Sequence, residues 1–163
     1  MILCKITDQK DFMGKLLTTP CFYSFMLSQA TVTNQFTYSV NGHRNSSFDT
    51  QPETDLPPEY AKWEEISPYL FSLMKGKRLP LSFQITLLLM PQYCEKILNE
   101  LSLSASDQTV SHFILNIRFE DGGIFITSAV SYQIFTMDKQ FEQKWDHVVR
   151  QFLASKQIAF QET

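Results

Sequence analysis

The stretch from Phe113 to Phe135, FILNIRFEDGGIFITSAVSYQIF, limits what this chain can fold into more than any other segment. Two alternating runs flank the turn residues Asp121, Gly122 and Gly123. A period of two sends successive side chains to opposite faces of a strand. Phe113, Leu115, Ile117 and Phe119 therefore share one apolar face, while His112, Asn116, Arg118 and Glu120 share the other. An antiparallel sheet tolerates this arrangement because one face packs on a core and the other stays wet. A similar aromatic frame occurs from Phe25 to Phe48, FMLSQATVTNQFTYSVNGHRNSSF.

Helical segments separate the strands. Ile2–Ile6 reads as a short strand, followed by a helix that Thr7 or Asp8 caps and that turns Phe12, Leu16 and Leu17 to one side. Phe22–Val40 is rich in β-forming residues, with turns expected at Thr33-Asn34-Gln35 and Asn41-Gly42 and a third strand from His43 to Phe48. A proline-rich acidic loop, Asp49 to Glu59, precedes a second helix containing Trp63, Ile66, Leu70 and Leu73. Pro68 lies inside that pattern, so the spacing allows one helix or a turn followed by a helix starting at Ser67. Gly76 is placed to end it. Leu81, Phe83, Ile85, Leu87 and Leu89 alternate along a central strand, and Pro91 opens a third helix. The last helix begins near Asp138 and carries Phe141, Trp145, Val148, Val149, Phe152 and Leu153 on one stripe, before a possible short strand at IAFQ.

Laid side by side, the two halves, about 1–78 and 79–163, each read strand, helix, three strands, helix. Phe25 and Leu27 match Phe113 and Leu115, and Trp63 matches Trp145. The expectation is one α+β domain built from a pseudo-twofold duplicated β-α-βββ-α unit. Its sheet is mostly antiparallel, with the helices on one face. Such a unit used twice resembles the architecture of the TATA-binding-protein fold and, more loosely, one sliding-clamp domain; fold likeness alone implies no function.

Composition narrows the functional classes. Charged residues are 19% of the chain, below the usual quarter, which leaves uncharged surface for a contact. A net charge of −3 argues against nonspecific DNA binding. Three widely spaced cysteines, Cys4, Cys21 and Cys94, with no CxxC, suggest reduced thiols in a cytoplasm rather than a disulfide framework or zinc site. The N-terminus has no signal-like apolar run, and no apolar run approaches a membrane span.

Chemical motifs are few. His43, His112 and His147 show no metal-binding spacing. Cys94 has no flanking base signature, and no phosphate-binding glycine loop or nucleophile elbow occurs. No catalytic residue, metal ligand or cofactor is assigned, and the pattern leans away from an enzyme. The candidate binding residues fall in two groups. Lys75, Lys77 and Arg78 form the one basic cluster, which suits a phosphate or nucleic acid, or merely the C-terminal dipole of a helix. Gln84, Thr86, Leu88 and Met90 from the central strand, with His112, Asn116 and Arg118, make up the face away from the helices. Leu88 and Met90 there suggest that part of it meets a partner.

The stretches KITDQKDFMGKLL, WEEISPYLFSLMKGKRLPLSFQI and LNIRFEDGGIFITSAVSYQIFTMDKQFEQKWDHVVRQFL together resemble a family of small Firmicutes proteins catalogued as a domain of unknown function. The resemblance spans nearly the whole chain. It implies a bacterial cytosolic protein and transfers no catalytic residues. The resulting expectation is a non-enzymatic interaction module or homo-oligomer that binds through the open sheet face. The alternative is a nucleic-acid binder using Lys75–Arg78.

Overall fold

The computed structural model describes residues 1–48, 58–103 and 107–163, so most of the acidic loop lies outside the described residues. Among the described residues the elements run, in chain order, β1 (Leu3–Ile6), α1 (Gln9–Thr18), a 3₁₀ turn (Pro20–Phe22), β2 (Phe25–Thr33), β3 (Thr37–Asn41), β4 (Ala61–Lys62), α2 (Trp63–Met74), β5 (Ser82–Leu89), α3 (Pro91–Glu100), β6 (Val110–Glu120), β7 (Gly123–Tyr132), α4 (Gln140–Ser155) and β8 (Phe160–Glu162). The strands form one eight-stranded antiparallel sheet in the order β3-β2-β5-β6-β7-β1-β8, with β4 pairing to β2. The α+β class is as the alternation and stripes predict.

Sidedness follows from register. Ala30, Ile85, Ile117, Ile126 and Cys4 stand opposite one another on successive strands, as do Leu27, Leu87 and Leu115. All are buried. The buried residues of all four helices join the same core: Phe12 and Leu16, Trp63 and Leu70, Ile97 and Leu98, Trp145 and Leu153. Helices thus cover a single face. Phe12, Phe22, Phe25, Trp145 and Phe152 meet in tilted and edge-on contacts with ring centroids 5.2–6.5 Å apart, the geometry that aromatic quadrupoles favour.

Local signals account for most element ends. The Asp8 carboxylate accepts from the Asp11 amide at 3.1 Å and caps α1. Asp121 and Gly122, at φ 50° and 75°, make the two-residue turn between β6 and β7. Pro91 occupies the first turn of α3, where a missing N–H costs nothing. α2 runs unbroken through Pro68, which decides between the two readings of that segment. Glu64, whose carbonyl loses its amide partner to Pro68, is exposed, as is Pro68.

Four expectations about the strands come out differently. First, His43–Phe48 is not a strand: only His43 pairs, with Tyr60, and the chain then turns, Phe48 N donating to Asn45 O. Second, Leu81 precedes β5 and is exposed. Third, the strand order does not show the expected twofold. Relating the halves by such an axis, with β2 equivalent to β6 and β1 to β5, requires β6 to pair with β1, because β2 pairs with β5. Instead β6 pairs with β5, and β1 lies between β7 and β8. The two tryptophans differ as well: Trp63 Nε1 donates to Leu16 O on α1, and Trp145 Nε1 to Ile114 O on β6.

Asn41-Gly42 is not a hairpin turn either. The chain continues past β3, with Gly42 N donating to Ser28 O and Gly42 O accepting from Ala61 N, both at 2.8 Å. Glycine is required there for space: a Cβ would sit 1.9 Å from Leu27 O. The β2 register shifts at the same place, between Leu27 and Gln29. Gly42→Ala therefore forces backbone apart at the β2–β4 junction. We expect a loss of about 1–3 kcal/mol, the usual cost of overpacking, in a urea titration. A neutral substitution contradicts the close approach.

Candidate functional site

The face opposite the helices is the surface these elements leave uncovered among the described residues. Its rows come straight from the register. Thr31, Gln84, Arg118, Phe125 and Lys5 stand side by side across five strands. The next row is Gln29, Thr86, Asn116, Thr127 and Leu3. Thr86 Oγ1 donates to Asn116 Oδ1 at 3.0 Å, and Arg118 lies 3.5 Å from Glu120. Of the residues expected at a binding surface, the fold brings Gln84, Thr86, Asn116 and Arg118 together as two directly opposed pairs.

Leu88 and Met90 belong to the same side but are not exposed. They are 4% and 9% accessible and form a small cluster with Met26, against which Tyr60 and Ile114 pack. The reason is the chain around β4, which pairs Lys62 with Met26 and brings Tyr60 over that end of the sheet. Their apolar character is spent inside the protein rather than on a partner.

His112 sits beside this cluster. Its ring meets Tyr60 edge-on with centroids 5.7 Å apart, and Tyr60 meets His43 in the same way at 5.4 Å. His43 Nε2 lies 3.1 Å from Glu59. Burial holds the His112 imidazole below its ordinary pKa, and the Glu59 charge opposes this. A shallow polar depression lined by Gln29, Thr31, Ser39, Asn41, His43 and Tyr60 lies nearby on the β2–β3 side. The sequence carried no signal for this grouping, because His43 and Tyr60 converge through a single bridge across residues outside the described set.

Lys75, Lys77 and Arg78 occupy the segment joining α2 to β5 and are exposed. Among the described residues none of them has an ion-pair partner. Lys75 caps the C-terminus of α2 and also lines a cavity of about 480 Å³ on the helical side of the sheet. Sequence reasoning missed this cavity: its wall combines α1, α2, the segment 79–80 and the ends of three strands.

Two of the three thiols, Cys94 and Cys4, are not poised for chemistry. Burial pushes Cys94 up to about 11, and its Sγ donates to Leu89 O. Burial likewise pushes Cys4 up to about 11. A thiol needs a lowered pKa to act as a nucleophile near neutral pH. Among the described residues no group of three His, Cys, Asp or Glu is close enough to hold a metal ion, and no helix is long and apolar enough to cross a membrane.

The model of the family of unknown function DUF5721 matches residues 15–161. The chain belongs to DUF5721. No curated protein and no solved structure gives a significant match. The family assignment carries no activity, so any function for this DUF5721 protein has to come from its surfaces.

The His112 environment generates a pH prediction. A histidine whose folded pKa lies below its unfolded value of about 6.5 binds fewer protons when folded. Its folded form is therefore favoured fully above about pH 6.5 and loses stability as pH falls below that value. In urea titrations between pH 7.5 and 5.5, His112→Gln is expected to flatten part of the acid-side loss. An unchanged pH profile contradicts the burial of this ring in its neutral form.

Proposed function

We propose that this protein is a binding module whose contact surface is the helix-free face of its sheet, and that its partner there is a second copy of the chain. The observation that supports this is the pair of rows through Gln84–Arg118 and Thr86–Asn116. Gln29, Gln84, Thr86 and Asn116 each carry both donors and acceptors, so the surface can satisfy itself. A twofold contact needs such self-complementarity, since every residue must face the same patch on the other copy. The charges on the face are few and mixed, Lys5 and Arg118 against Glu120. That balance lets two copies approach and supports nucleic-acid binding less, because phosphate recognition depends on concentrated positive charge. The free cysteines suit a reducing compartment such as the cytoplasm.

Light scattering during size exclusion tests the reading. The wild type is expected to run as a dimer at about 100 μM, and Asn116→Lys combined with Thr86→Lys, which sets four like charges against each other across the axis, is expected to run as a monomer with the wild-type circular dichroism spectrum. A strict monomer for the wild type, or a dimer unaffected by the double substitution, overturns it.

A further inference from the structure

We infer that the cavity between α1 and α2 is a binding site for a free single-chain anionic amphiphile, an aliphatic carboxylate whose chain enters the cavity and whose head lies at Lys10 and Lys75. The volume, about 480 Å³, falls within the range of small-molecule sites. The interior is apolar: Met13 and Leu17 of α1, Phe71 and Met74 of α2, and the stacked rings of Phe83 and Phe119, whose centroids are 5.5 Å apart. Polar groups are confined to the lining residues Gln9, Lys10, Thr18 and Lys75. Gln9 is already engaged, its Nε2 donating to Gly122 O at 2.7 Å. Both lysines are exposed, and among the described residues neither has an ion-pair partner. An apolar pocket with two cations on its lining complements a molecule with a greasy body and a negative end.

A second observation points the same way. Gly14 lies inside α1 and lines the cavity. Its backbone is not in the left-handed region, so no conformational need for glycine exists there. Nothing lies within 4 Å of the position a Cβ would take. Glycine weakens a helix interior relative to alanine. Its geometric consequence at this position is an open wall. Leu79, also on the lining, is 78% exposed and gives the chain of a ligand further apolar surface to cover at the mouth. The site lies on the helical side, so it stands or falls independently of the sheet-face contact.

Isothermal titration with dodecanoate, kept below its micelle-forming concentration, tests the assignment on the full chain. Saturable binding at one site per chain is expected. Gly14→Leu should fill the cavity, leave the thermal midpoint unchanged or higher, and weaken binding at least tenfold. The exposed pair Lys10→Glu and Lys75→Glu, which leaves the apolar wall intact, should weaken dodecanoate at least fivefold and leave dodecanol unaffected. Anionic phospholipid vesicles should bind no more tightly than neutral ones. Absence of saturable dodecanoate binding, equal affinity in Gly14→Leu and wild type, equal loss for dodecanol, or binding only to anionic vesicles each overturns the proposal.

Discussion

Burial of one face of a single antiparallel sheet is the constraint from which the other features follow. The central strands must present an apolar row to the same side, and four helices must supply enough apolar surface to cover it. Leu27, Leu87 and Leu115 stand in one such row and Ala30, Ile85, Ile117 and Ile126 in another. A one-residue slip of any strand would send its core residues to water. The register is therefore held by the core, and the opposite face inherits a fixed order of polar side chains. The open face is a by-product of the same alternation that builds the interior.

The sheet's β7–β8 side depends on the first strand. β1 pairs with β7 on one side and β8 on the other, joining the two ends of the chain. Ile2 N donates to Ser128 Oγ, which in turn donates to Asp146 Oδ1 on α4 at 2.5 Å. Ser128 is fully buried, so this chain of hydrogen bonds removes a desolvation cost of about 1–3 kcal/mol that an unpaired hydroxyl would carry. Arg150 and Glu162 add a two-pronged ion pair between α4 and β8 at 2.6 and 2.9 Å. That pair is exposed enough to contribute little by itself. The termini thus form part of the structural frame that holds the last helix against the core.

Much of this was legible in the residues. Alternation in Phe113–Phe119 and the i, i+4, i+8, i+12 stripe of Phe141, Trp145, Val149 and Leu153 are strong periodic signals, and both segments fold as those periods dictate. The Asp-Gly turn and the Asp8 cap are local chemistry and were equally readable. What misled was pairing between distant segments. The halves open with the same run of strand, helix and two strands, but local order does not specify which strand lies beside which, and β1 crosses into the other half of the sheet. Leu88 and Met90 looked available because period two puts them on the open side; Tyr60, brought in from beyond Gly42, covers them. The cavity was invisible for a related reason. Its wall draws residues from α1, α2 and three strands, and Gly14, which leaves that wall open, reads in the sequence as an ordinary weak helix position.

Residue-resolved amide hydrogen exchange tests this account of the sheet most directly. With β1 hydrogen-bonded on both sides, the amides of Cys4, Lys5 and Ile6 should exchange as slowly as those of Ile85 to Leu87 in β5, while amides in the edge strands β3 and β8 exchange faster. Exchange of residues 4–6 at the rate of a free terminus would contradict the place of β1 inside the sheet, and with it the fixed rows on its open face.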